Sequence, residues 1–239
     1  VKSELVIHAE DNDAGLSGID MGGSAHKRRL ILIVDDNPSI RTQIVGELNQ
    51  KFDFIEAVNG KDAFDLAKTQ VPDLVVSDVL MPEVNGFELC SLLKNDETTS
   101  HIPVILLTAK ISDKSKMEGF TVGADDYIAK PFRVEMLEIR IRSLIAQRNK
   151  LRERFSKEIY LEPKEIAITS LDEKFLERAM DIIERNISDS NFDNNKFIEK
   201  IGMSRSQLYR KLESLTGQTL SEFIRIYRLK RAAQLLKNK

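Results

Sequence analysis

The sequence predicts an α/β fold, a doubly wound five-stranded parallel sheet, followed by a separate all-α segment. Three observations lead there. Between residues 30 and 148, short apolar runs of strand length alternate with amphipathic stretches of helix length. Beyond Pro163 the apolar residues recur only at helical spacing. A length of 239 residues exceeds one ordinary domain and falls short of three.

Residues 1–29 are polar, with glycines at 15, 18, 22 and 23 and no sustained periodicity, and they read as a linker or an appended arm. The strand candidates that follow are Leu30–Val34, Phe54–Val58, Leu74–Ser77, Val104–Leu107 and Tyr127–Ala129. Their near-continuous apolarity suits strands covered on both faces of a parallel sheet. In such sheets ligands bind beyond the carboxyl ends of the strands. A helix starts near Arg133 and keeps a 4-3 apolar spacing through Leu137, Ile141, Leu144, Leu151 and Phe155, interrupted at Arg148. Two readings stand side by side: a coiled-coil seam, or a core-facing stripe up to Ile145 followed by a solvated linker over 149–169. Pro163 breaks the pattern.

In the helical segment, 170–239, Ser170 and Glu173 form a capping-box pattern ahead of Phe175, Leu176, Ala179, Met180, Ile182 and Ile183. Asp193 caps the next helix and Gly202 ends it; Ser204 with Gln207 opens another, ended by Gly217; Thr219 with Glu222 opens the last.

The composition is that of an ordinary folded chain, 41% hydrophobic and 31% charged. No apolar run approaches the roughly 18 to 20 residues that cross a bilayer, and the N-terminus lacks a signal-peptide layout, so the expected location is cytoplasmic. The single cysteine, Cys90, reads as a small buried apolar residue and excludes an intrachain disulfide framework. His8, His26 and His101 have no metal-like spacing and read as structural or exposed. The net charge of −2 conceals an uneven distribution. Residues 1–26 carry five acids against Lys2, whereas 196–239 carry eleven Lys and Arg against Glu199, Glu213 and Glu222, a formal +8. A polyanion partner suits that end.

The strand ends carry the chemistry. Asp35 and Asp36 close the first strand, Asp78 the third, Thr108 the fourth and Lys130 the fifth, so all five converge on one rim. A lone acid at a strand end more often caps the next helix, but three acids, a hydroxyl and a lysine on one rim are a different matter. Clustered carboxylates repel one another unless a hard cation neutralises them, and Mg²⁺ suits oxygen ligands. With the charge neutralised, Asp78 is the candidate nucleophile toward phosphorus, Lys130 the partner of carboxylate and phosphoryl oxygens, and Thr108 a hydroxyl donor.

Val34-Asp35-Asp36-Asn37, Ser77-Asp78-Val-Leu-Met81-Pro82, Leu107-Thr108-Ala109 and Tyr127-Ile-Ala-Lys130-Pro131-Phe132 resemble a response-regulator receiver domain, a flavodoxin-like fold, over about residues 28–148. The resemblance implies that Asp78 accepts a phosphoryl group from a kinase phosphohistidine. It implies that Asp36 and Asp78 ligate Mg²⁺ directly, that Asp35 does so through water, and that the Leu80 carbonyl completes the protein ligands. It also implies a Thr108–Tyr127 switch pair and a cis Lys130–Pro131 peptide. By the same resemblance Leu80 and Lys110 would occupy positions that tune phosphate lifetime in receivers, and an apolar Leu80 cannot orient an attacking water, so slow self-hydrolysis is expected.

Between Asn194 and Leu212 the spacing of helix, glycine turn and helix is that of a DNA-reading unit, with Phe197, Ile198, Ile201, Leu208 and Leu212 inside. Arg205, Ser206, Gln207 and Tyr209, with Arg210 and Lys211 behind them, are the candidate DNA-binding residues. Gly202-Met-Ser-Arg-Ser-Gln-Leu-Tyr-Arg-Lys-Leu, Leu215-Thr-Gly-Gln-Thr and the run Phe223–Leu236 resemble the AraC family over 170–239. That family carries two helix-turn-helix units, and the second is absent here. A receiver joined to such an output resembles the C-terminal part of hybrid two-component sensors, with promoter DNA, a histidine kinase domain in cis or in trans, and a second copy of the chain as expected partners. Residues 1–29 would then tether a kinase domain. Two alternatives stand beside this: a phosphorylation-controlled protein-interaction module, and a Mg²⁺-dependent phosphatase using an aspartyl phosphate. The phosphatase reading lacks the second acid usual two residues after the nucleophile, where Leu80 stands.

Overall fold

The computed structural model describes residues 28–109, 122–157 and 167–237. The expectations for residues 1–27, including His8 and His26, and those for Lys110, Pro163 and the side chain of Phe155 lie outside the described residues.

Five strands form one parallel sheet: β1 (Leu30–Val34), β2 (Asp53–Ala57), β3 (Leu74–Asp78), β4 (Val104–Thr108) and β5 (Asp126–Ala129), in the order β2-β1-β3-β4-β5. The doubly wound architecture is as the alternation predicts. β3 and β4 are buried throughout and β1 nearly so, whereas β2 and β5, at the edges, are only half covered. Near-continuous burial therefore holds for the three central strands, because an edge strand lacks a neighbour on one side. Helices α1 (Pro38–Leu48), α2 (Gly60–Gln70) and α3 (Gly86–Asn95) follow β1, β2 and β3. The sheet separates two apolar clusters: Leu32, Val75 and Leu106 face α2 and α3, while Ile33, Val76 and Ile105 face α1 and the long helix after β5.

That long helix, α4 (Val134–Lys157), buries Val134, Leu137, Ile141 and Leu144 against the sheet, with Ile145 partly covered. The core stripe thus ends near Ile145, as one of the two readings had it. The helix does not become a solvated linker there. The Arg148 guanidinium binds Asp125 at 3.0 Å, and Arg152 donates to the Ser214 carbonyl, so the charged residue that interrupts the apolar spacing is an anchoring group.

The helical segment comprises α5 (Ser170–Arg185), α6 (Asn194–Ile201), α7 (Arg205–Thr216) and α8 (Leu220–Lys237). Its core gathers Phe175, Leu176, Ala179, Ile183, Phe197, Ile201, Leu208, Leu212 and Phe223. The capping box of α5 is one residue earlier than expected: Thr169 is the N-cap and Asp172, not Glu173, completes the box. Asp193, Ser204, Gly202 and Gly217 cap as predicted, with both glycines left-handed, and Thr219 and Glu222 exchange backbone bonds at the start of α8.

Candidate functional site

The acidic rim is assembled by backbone register. Val79 N–H donates to Leu107 O at 2.9 Å and Lys130 N–H to Thr108 O at 2.7 Å, which set the ends of β3, β4 and β5 side by side. Asp35, Asp36 and Asp78 each place a carboxylate oxygen within 4.8 Å of the others. Asp35 is fully buried and Asp36 exposed. Lys130 Nζ reaches both Asp35 Oδ2, at 2.8 Å, and Asp78 Oδ1, at 3.0 Å. Asp35 Oδ1 also accepts the N–H of Asn37, and Asp78 Oδ1 the N–H of Val79.

Burial raises the Asp78 carboxyl above its ordinary value, even though the hydrogen bond and charge of Lys130 pull it down. Burial would lower Lys130, but its bonds to Asp78 and Asp35 outweigh that and hold the ammonium above its ordinary value. The lysine is therefore charged, and it balances only part of a three-carboxylate cluster. Three hard oxygen donors of this kind fit a Mg²⁺ ion, with Asp36 open to solvent for entry.

Thr108 ends β4 with its side chain buried. Tyr127 pairs with Leu106 across the β4–β5 ladder and packs against the cluster on the α2–α3 side, and burial pushes its phenol up to about 12. The Lys130–Pro131 peptide is cis, as the resemblance implies. Leu80 is 69% exposed in the loop after β3. Cys90 is fully buried, its thiol raised to about 11 by desolvation.

One contributor was not singled out in the sequence. A Cβ on Gly86, at the start of α3, would lie 2.2 Å from the carbonyl oxygen of Asp78, so only glycine lets α3 approach the end of β3 this closely. Asn85-Gly86, a turn dipeptide ahead of an apolar run, is the signal that marks it.

The six candidate DNA-binding residues diverge. Arg205 and Ser206 are exposed, and Arg205 donates to Asn195 Oδ1 at 2.6 Å. Gln207, Tyr209 and Arg210 are partly covered. Gln207 donates to the Lys68 carbonyl at 3.3 Å and Arg210 to that of Gln70, both at the end of α2. Lys211 has no exposed side-chain surface and pairs with Asp172 at 2.6 Å. In this arrangement Lys211 is a buried interface residue and cannot reach a phosphate. His101 is also buried here, consistent with a structural role.

A five-stranded parallel sheet in the order β2-β1-β3-β4-β5 thus carries an acidic triad and a lysine at its carboxyl rim. Residues 31–142 match the model of the response regulator receiver domain, and this part of the chain is a receiver domain. Histidine kinase P4 of Formosa agariphila is 44% identical over 210 residues, 88% of this chain and 15% of that protein. The DNA-binding dual master transcriptional regulator RpaA of Synechocystis is 40% identical over 122 residues, 51% of each. The magnesium-bound receiver domain of a Pseudomonas aeruginosa sensor histidine kinase is 27% identical, covering 50% of this chain and 98% of that one, with a TM-score of 0.47. The chain thus spans about half the length of relatives such as RpaA and a small part of the kinase. Among the described residues no helix is long and apolar enough to cross a membrane.

Proposed function

We propose that this chain is the phospho-accepting and output part of a two-component signalling protein, in which phosphorylation of Asp78 controls a DNA-binding helical domain. The observation that carries the first half is the meeting of Asp35, Asp36, Asp78 and Lys130 at one rim. A carboxylate oxygen of Asp78 attacks the phosphorus of a kinase phosphohistidine, the P–N bond breaks, and the imidazole leaves and takes a proton from solvent. Asp35, Asp36, Asp78 and the Leu80 carbonyl would hold Mg²⁺, which when bound offsets the charge of the incoming phosphoryl group. Lys130 exchanges its pairing with Asp78 for one with a phosphoryl oxygen, and the Thr108 hydroxyl donates to another while the Tyr127 ring moves inward. The exposed, apolar Leu80 orients no water, so the acyl phosphate persists. A phosphatase would need a proton-transfer group there.

The output half draws on α6, the Gly202 turn and α7, arranged as a helix-turn-helix with Arg205 and Ser206 outward, and on the basic 196–239 stretch. Histidine kinase P4 aligns across both halves, which supports a parent chain that carries its own kinase. A histidine kinase domain, promoter DNA and a second copy of the chain are the partners this reading implies. Intact-mass measurement after incubation with acetyl phosphate and Mg²⁺ tests the acceptor. A gain of one phosphoryl group is expected for the native chain and none for Asp78→Asn; gain in both would move the acceptor elsewhere. A phosphate lifetime of seconds would overturn the role given to Leu80.

A further inference from the structure

The three carboxylates of the acidic rim are not held alike. Asp35 Oδ1 accepts the N–H of Asn37 and its Oδ2 meets Lys130 at 2.8 Å, while Asp78 Oδ1 accepts the N–H of Val79 and meets Lys130 at 3.0 Å. Asp36 is exposed, and among the described residues no hydrogen bond or ion pair holds its carboxylate. Its side chain is therefore aimed by its backbone. The peptide between Asp35 and Asp36 is one rigid plane, so whatever fixes the Asp35 carbonyl also fixes the N–H and Cα of Asp36.

That carbonyl is taken by Arg41, the fourth residue of α1, whose Nη1 donates to Asp35 O at 2.7 Å. Its Nε donates to Glu56 Oε2 at 3.0 Å, and the arginine side chain is only 14% exposed. A guanidinium is a planar fork, so binding one edge to a carboxylate sets the direction in which the rest of it points. From the other side Asp35 N–H donates to the Ala57 carbonyl at 3.3 Å. α1 is itself anchored, with Ile44 and Leu48 buried in the cluster under the sheet. The Asp35–Asp36 turn is thus fastened to α1 and to the edge strand β2, neither of which carries an acidic residue of the rim.

We propose that Arg41, braced by Glu56, is a positioning residue of the cation site, setting the Asp35–Asp36 peptide so that the Asp36 carboxylate stands ready for Mg²⁺. This deepens the reading of the rim as a Mg²⁺ site and rests on it. Mg²⁺ tolerates little departure from octahedral geometry, so a ligand without support of its own must be ordered as the ion binds, and that ordering lowers affinity. Groups that orient metal ligands from behind are typically worth about 10- to 100-fold in affinity. Charge alone predicts the opposite sign. A guanidinium near the site repels a divalent cation, so an arginine acting only through its charge would, once removed, let Mg²⁺ bind more tightly.

Titration of the whole unphosphorylated chain with Mg²⁺, followed by the amide NMR shifts of residues 35–37 and 78–80, tests this. Arg41→Met is expected to weaken Mg²⁺ binding about tenfold. Glu56→Ala, a change at an exposed position of an edge strand, is expected to weaken it by less. Glu56→Gln should restore the native affinity, because its amide oxygen still accepts from Nε of Arg41. Urea unfolding of each variant checks that the receiver remains folded. Equal or tighter binding by a folded Arg41→Met overturns the proposal. Native affinity in Glu56→Ala, or Glu56→Gln as weak as Glu56→Ala, overturns the brace and decides the matter if Arg41→Met does not fold. A native chain with no Mg²⁺-dependent shift instead overturns the cation-site reading, and the positioning role with it.

Discussion

Lys211 shows how much one residue's meaning depends on its surroundings. In the sequence it is one more cation in a basic stretch, whereas in the fold it is paired with Asp172 with neither side chain exposed. Burial pushes the Asp172 carboxyl up, but the charge of Lys211 and the hydrogen bonds from Lys211 and Ser100 outweigh this and hold it below its ordinary value. Removing one partner strands the other, so Lys211→Met is expected to destabilise the helical half by about 3–5 kcal/mol in urea unfolding. Adding Asp172→Asn should cost less than the sum of the two changes, because the stranded charge is gone; strict additivity would refute the pairing. His101 stands beside them, facing Lys211 from α7, Asp172 from α5, Arg148 from α4 and Lys94 from α3. Burial first, then the charge of Lys211, holds its imidazole well below 6.5, and neither ring nitrogen has a hydrogen-bond partner. The neutral form is therefore the folded form. Stability is full above the unfolded value of 6.5 and falls as acid protonates the unfolded chain through it. Melting curves at about pH 8 and about pH 5 should diverge for the native chain and diverge less for His101→Leu.

At the scale of elements, α3 is set by a contact that tolerates no side chain. Gly86→Ala places a methyl against the Asp78 carbonyl and the Cα of Val79, so either α3 or the acceptor loop must shift. A loss of about 1–3 kcal/mol is expected, together with slower labelling of Asp78 by acetyl phosphate; native-rate labelling would show that the loop absorbs the change without moving the carboxylate. Local signals placed most elements within a residue, because strand apolarity and cap chemistry act over short range. Where two caps competed, at Thr169 and Ser170, the decision was tertiary. Asp172 is held by Ser100 and Lys211, and its second oxygen then completes the box with Thr169. The continuation of α4 beyond Ile145 is of the same kind, since Arg148 meets Asp125 and Arg152 meets Ser214 only once distant parts of the chain are brought near.

For the whole molecule, the junction is a line of polar contacts from Arg29, bonded to Asp73 and Asn149, through Arg152, bonded to Asn149 and Ser214. Arg152→Ala removes one link to α7, that to Ser214, while leaving the apolar clusters of both halves intact. Calorimetry should then show the helical half melting about 4–8 °C lower per kcal/mol lost, apart from an unshifted receiver transition. A joint downward shift of both would mean that the halves fold as one unit.

The receiver half was legible because its chemistry sits at strand ends, and strand ends follow from short-range apolar patterning. Once the sheet order is the common one for a βα alternation, Asp35, Asp36, Asp78, Thr108 and Lys130 have only one rim to share. The use of the basic residues of α7 was not legible. Helical periodicity tells which side faces the helix's own core, and it correctly placed Leu208 and Leu212 inside. It carries no information on what approaches the remaining flanks, and that depends on contacts across more than a hundred residues, such as Lys211 with Glu97 and Arg210 with Gln70. Local free energies determined the elements, the acidic rim and the caps; only the tertiary structure decided that a stripe of α7 faces the receiver instead of solvent.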